Sequence, residues 1–194
     1  MTSGPTIEPF LGLEPEIDET AYIASTAAII GAVRLGPNVS IWHQVTLRGD
    51  ANYITVGANT NIQDNAVVHI DSREYPTRIG KDVTIGHSAI IHACTLEDCC
   101  FVGMGAIVMD GAVVEREAMV GAGALIPPGK VVTSGTLWVG NPGREVRALT
   151  DKEKQALKTS AERYVEFGRA ARLGDSAGPF TLFETRNLPP LDES

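Results

Sequence analysis

From Leu35 onward the chain can be written in sixes: LGPNVS, IWHQVT and LRGDAN, then after a three-residue slip VGANTN, IQDNAV and VHIDSR. A five-residue slip leads to IGKDVT, IGHSAI and a unit one residue short, IHACT. The frame then continues through LEDCCF, VGMGAI, VMDGAV, VEREAM, VGAGAL and IPPGKV. Upstream, IASTAA and IIGAVR carry it back to Ile23. Every unit opens on an aliphatic residue, often with glycine second and a small or β-branched residue fifth. A helix cannot keep such a period, because about 3.6 residues per turn would carry the aliphatic positions around every face. Short strands with a corner in each unit satisfy it: the lead residue points inward and its neighbour outward. Glycine, asparagine and aspartate at the corners suit turns with positive φ. Unrelated hairpins in a sandwich would not hold so regular a spacing.

This hexapeptide pattern resembles the left-handed parallel β-helix family, a triangular prism with three hexapeptides per coil. The resemblance supplies the handedness; the spacing implies only a three-sided solenoid. The expected fold is an all-β solenoid, a left-handed parallel β-helix over residues 1–149. After GNPGREVRAL the pattern changes. Thr150, three residues ahead of Glu153, makes a capping box, and Leu157, Ala161, Tyr164, Val165 and Ala171 recur at helical spacing up to Gly174. A C-terminal α-helix over 150–174 would be about 35 Å long, enough to lie along about seven coils. Residues 175–194, rich in turn formers, read as an irregular tail. With 16 basic and 24 acidic side chains the net charge is −8. No basic block stands out, which argues against nucleic-acid or anionic-membrane partners. No apolar run approaches the ~20 residues of a membrane span, and the N-terminus lacks the features of a secretory signal. The three cysteines are odd in number and lack a C-x-x-C spacing, as suits reduced thiols. A soluble cytoplasmic protein is expected.

His69, His87 and His92 account for three of the four histidines. Let the faces be A, B and C, with Leu35 opening an A strand. Leu47, Val68 and Ile91 then head successive C strands, and Arg48, His69 and His92 take the same outward place one coil apart. Strand neighbours lie about 4.8 Å apart, so His69 and His92 can chelate one ion. Ile62 and Ile85 head B strands, and two residues on come Asp64 and His87, with His43 one coil earlier; His43 reads as structural. His87 is directed away from the pair and cannot join it within one chain. If prisms pack around a threefold axis, face C of one meets face B of the next, and a neighbour's His87 completes each site. The expectation is a homotrimer with metal sites shared between subunits. Three neutral imidazoles with an open fourth position are the ligand set of a catalytic zinc site; iron, cobalt and nickel are also compatible with imidazole.

At LRGD, NIQDNAVVH and IGHSAIIHAC the chain resembles the γ-class carbonic anhydrases, in their bacterial carbonic anhydrase-like branch, over roughly Ile7 to Leu173. The resemblance implies a Zn2+ ion, or alternatively Fe2+ or Co2+, held by His69 and His92 of one subunit and His87 of its neighbour. It also implies reversible hydration of CO2 to bicarbonate by a metal-bound hydroxide. It makes Gln63 the hydrogen-bond partner of the metal-bound oxygen, Asp64 the carboxylate that orients it, and Asn61 a further polar residue lining the site. Arg48 and Asp50 become salt-bridging supports across the subunit interface. Tyr164 would join the site if the helix folds back over it. The insertions after Arg48 and His69 are expected to place GDANY and DSREYPT as loops beside the metal. The chain departs from the archetype in having Ala51 where a glutamate follows the Arg-x-Asp motif, and only Asp71 and Glu74 in a shorter loop. Two alternatives stay open: a metal-hydroxide thioesterase or other acyl-group enzyme, and a non-catalytic assembly protein of the same repeat.

Overall fold

The computed structural model describes residues 4–174, and the repeats form a parallel β-solenoid of about seven turns with one C-terminal helix. The lead residues Leu47, Val68, Ile91, Val108 and Ile126 are wholly buried in a single core running down the prism. On face B the strands Tyr22–Ile23, Ser40–Ile41, Asn61–Ile62, Thr84–Ile85, Phe101–Val102 and Met119–Val120 stack in parallel, coil on coil. On face C, Val67–His69, Ile90–His92, Ile107–Val108 and Leu125–Ile126 do the same. The corners fall where the repeat puts them: the fourth place of successive units has positive φ at Asn38, Asn59, Asn65, Asp82, Gly105 and Gly123. The short unit IHACT turns one place early, at Ala93.

The first insertion is not a loop. Residues Thr46–Val56 form one continuous strand that rounds the C-to-A corner and pairs with Ala28–Leu35, joining faces C and A in a single sheet. A register shift absorbs the extra residues: Gly31 pairs with Gly49, pairing resumes at Val33 with Ile54, and residues 50–53 form the bulge between them at the corner. The second insertion is a short turn closed by the Asp71 carboxylate, which accepts from the backbone N–H groups of Arg73 (2.9 Å) and Glu74 (2.7 Å). Glu74 itself is exposed.

The helix Asp151–Leu173 starts at a reciprocal capping box between Thr150 and Glu153 and stops at Gly174 in the left-handed region. Arg147 and Thr150 hold the Glu153 carboxyl down at about 2. The carboxylate's contribution is therefore complete above the ordinary range and fades as pH falls toward about 2. Replacing Thr150 by alanine is expected to lower stability by about 1 kcal/mol, read as a shifted urea midpoint with faster amide exchange in the first helical turn. The helix runs along face B, against Tyr22–Ile23, Ser40–Ile41, Asn61–Ile62 and Thr84–Ile85. Leu157, Ala161 and Gly168 face inward, and Ala171, expected on that face, is exposed. Gly168 takes the inward place because the helix passes so near the prism that a Cβ there would lie 3.1 Å from Ser40 Cβ.

This placement corrects the expectation that a neighbour would meet face B. The outward residues of that face, Ser40, Asn61 and Thr84, are already buried beneath the chain's own helix. What borders face C is instead the B-to-C corner, a ridge bearing His43, Asp64, His87 and Met104 on successive turns. At the far end the antiparallel strands Thr136–Gly140 and Gly143–Ala148 close the face B sheet. Among the described residues no helix is long and apolar enough to cross a membrane. Residues 175–194, read as an irregular tail, lie outside the described residues.

Candidate metal centre

Adjacent parallel strands bring His69 and His92 into direct register. Their ring centroids are 5.2 Å apart at an interplanar angle of 47°, and His69 Nδ1 lies 3.2 Å from His92 Nε2. Burial is the main reason that His69 titrates below the ordinary imidazole range, and the charges of Arg48 and His92 add to it. His69 is therefore neutral, and in ligand form, at neutral pH. Cation binding weakens as pH falls through the imidazole range, where protons compete for the same lone pairs.

Each histidine has a carboxylate behind it. Asp110 Oδ1 lies 2.6 Å from His92 Nδ1, and Asp64 Oδ2 lies 2.9 Å from His87 Nδ1. A carboxylate at Nδ1 keeps the proton there and leaves Nε2 its lone pair, the arrangement that supports metal-ligating imidazole. Asp50 Oδ1 approaches His69 at Nε2, 3.3 Å away, so that Nδ1 is the nitrogen turned toward His92. These residues fit a borderline divalent cation such as zinc. Among the described residues no three His, Cys, Asp or Glu side chains of one chain gather as a set that could hold an ion. His87 stands on the turn of the B-to-C corner, tied to Asp64.

The remaining expected site residues divide. Gln63 is nearly buried and donates through Nε2 to Asn61 Oδ1 at 3.1 Å. Asn61 does not line an open surface: it is wholly buried under the helix, where it backs Gln63. Asp64 braces His87 and also accepts from the His43 backbone N–H at 3.2 Å. Arg48 and Asp50 form their ion pair within the chain. Tyr164 packs edge-on against Trp42, with centroids 5.7 Å apart, and against Phe167; burial raises its phenol and the charge of Asp64 adds to this. The structural reading of His43 agrees with its 2.9 Å contact to Thr26 Oγ1. Asp110 was not anticipated. Its signal lies in the unit one coil beyond His92's, where VMDGAV carries an acidic residue beside the corner that the short IHACT unit draws in.

No family model matches the chain. Individual proteins do. The gamma carbonic anhydrase 1, mitochondrial, of Arabidopsis thaliana is 45% identical over 175 residues, which is 88% of this chain and 63% of that protein. The chain thus spans less than two thirds of that relative's length. A probable carbonic anhydrase of Methanocaldococcus jannaschii is 43% identical over 150 residues, 77% of this chain and 94% of its own. Among solved structures, a hexapeptide transferase family protein from Anaplasma phagocytophilum is 51% identical with a TM-score of 0.82, over 85% of this chain and 97% of that one. Together with the histidine-bearing solenoid, these likenesses place the chain in the γ-class carbonic anhydrase family.

Proposed function

We propose that the protein catalyses the reversible hydration of carbon dioxide to bicarbonate, at centres that each take His69 and His92 from one subunit of a homotrimer and His87 from the next. The observation that carries this reading is the His69–His92 pair, with nitrogens 3.2 Å apart, beside a corner on which a carboxylate-backed His87 stands apart from it. Zinc is the ion proposed, with ferrous iron or cobalt as alternatives. Such an ion, when bound, lowers the pKa of water from about 15.7 toward about 7 and so supplies hydroxide at neutral pH.

The chain's own residues do the rest. Asp110 and Asp64 keep protons on the Nδ1 atoms of His92 and His87, which aims both Nε2 lone pairs outward. Gln63, with Nε2 committed to Asn61, presents its Oε1 as an acceptor for a hydroxyl hydrogen. Arg48, adjacent to the site, offers positive charge to the bicarbonate product. Val67 and Ile90, each 40% exposed on face C, and Met104, 58% exposed on the corner, are apolar surface that suits coverage by a second copy. The free cysteines Cys94, Cys99 and Cys100 suit a reducing compartment, the cytoplasm.

A second reading, acyl-group chemistry, draws on the likeness to the hexapeptide transferase family protein from Anaplasma phagocytophilum. An acyltransferase of this shape needs a catalytic histidine on an exposed loop, whereas His69 and His92 sit on strands and His87 on a tight corner, each beside a carboxylate, and His43 is engaged by Thr26. Stopped-flow hydration assays on protein loaded with zinc, or anaerobically with ferrous iron, test the proposal. Turnover is expected in loaded wild type and absent in His92→Ala. A fully loaded, inactive wild type overturns it and moves attention to thioesters.

A further inference from the structure

Gln63 is useful to the proposed reaction only if its amide has one particular face outward, and the structure shows what sets that face. The Val83 carbonyl can only accept, so the Asn61 atom 3.3 Å from it is Nδ2. Nδ2 also donates to Thr84 Oγ1 at 2.9 Å. Asn61 Oδ1 is therefore left to accept, and Gln63 must meet it with Nε2, at 3.1 Å. Thr84 Oγ1, having accepted from Asn61, donates its own hydrogen bond to Ser160 Oγ on the helix at 3.0 Å. Asn61 and Thr84 are 0% and 2% exposed, so water does not compete with these bonds.

We propose that Thr84 and Ser160 are positioning residues of the centre, the far end of a hydrogen-bonded chain through which the C-terminal helix fixes the acceptor face of Gln63. The inference rests on the carbon dioxide reading for its kinetic consequence but not for its structural one. Neither residue faces the histidines. Each acts through Asn61 and Gln63, and the order of donors is dictated at one end by a backbone carbonyl that cannot be reversed. The helix, otherwise a cover for face B, thereby becomes part of the machinery.

The test uses the full-length zinc-loaded protein labelled with 15N-glutamine. The chain has only three glutamines, Gln44, Gln63 and Gln155, and the side-chain signal lost in Gln63→Glu identifies the one of interest. In wild type that amide is expected to exchange slowly. Thr84→Val, which keeps the shape and removes the hydroxyl, is expected to speed its exchange and lower kcat, each by about tenfold, with KM unchanged. Ser160→Ala should move both in the same direction by less, and Thr84→Ser should retain both. Unchanged Gln63 exchange and kcat in Thr84→Val overturn the proposal. Equal losses in Thr84→Ser and Thr84→Val also overturn it, since packing rather than the hydroxyl would then be responsible. If wild type hydrates no carbon dioxide, the functional reading fails, and amide exchange still decides the positioning chain by itself.

Discussion

Mixing equal amounts of His87→Ala and His69→Ala chains, each inactive alone, is expected to restore about a quarter of wild-type metal content and hydration activity. The proportion follows from the proposed symmetry. Random reassembly makes about three quarters of the trimers mixed, and every mixed trimer, whichever variant is in the majority, has one interface of three with a complete ligand set. The geometry motivates the experiment. His69 and His92 face each other across one strand pair, while His87 is held on the corner by Asp64 at 2.9 Å. Chains are mixed in denaturant and refolded together, and zinc is then measured against assembled trimer. Well-assembled mixed trimers with no recovered metal would sink the shared site, because an intrachain site broken in every chain has no route to rescue.

Much of this could be read from the residues because a solenoid has little freedom. Each coil contacts only its neighbours, so the six-residue period assigns a face to nearly every position. That is why the register of His69 with His92, and the separation of His87 from them, followed from counting units. What was not legible depended on contacts between elements that the period does not describe. Helical spacing marked Ala171 as inward, but the axis of the helix is set by how closely it can lie on Ser40, and that makes Gly168 the inward residue. Nothing in the repeat says which face the helix covers, so the period alone leaves face B open to a neighbour. GDANY breaks the frame and so reads as a loop; pairing with Ala28–Leu35 on both sides of it, at Gly49 and again from Ile54, carries the strand through it as a bulge instead. The resemblance makes Asp64 an orienting carboxylate, and the contact it makes, 2.9 Å from His87 Nδ1, is visible only in the folded chain. Local chemistry and one period thus explain the scaffold and the placement of the three histidines, and the residues that brace them required the third dimension.

Replacing Gly103 by alanine is expected to cost about 3 kcal/mol of stability, whereas Gly123→Ala costs about 1 kcal/mol. The two glycines serve different ends. Gly123 occupies a corner with φ +67 and open space around the missing Cβ, so alanine there meets only the intrinsic penalty of the left-handed region. Cys99 and Glu117 hold the equivalent place in other units, at φ 60 and 56, which indicates that a side chain is tolerated. Gly103 occupies the second place of its unit, where a Cβ would stand 2.5 Å from Ala122 N, 2.8 Å from the Gly121 carbonyl carbon and 2.9 Å from Ala122 Cα. Every one of these atoms is backbone, so no rotamer can relieve the clash and the coils must separate. Urea unfolding of the two variants decides the matter, and equal losses would mean that the second-place glycines do not set the coil spacing. Gly86 repeats the arrangement one coil earlier, with a Cβ position 2.7 Å from Met104 N, immediately before His87. The same close approach that holds the prism together therefore also holds a proposed metal ligand at its height on the corner. Gly86→Ala is accordingly expected to cost metal affinity as well as stability, a double loss that Gly103→Ala, one coil farther along, does not share.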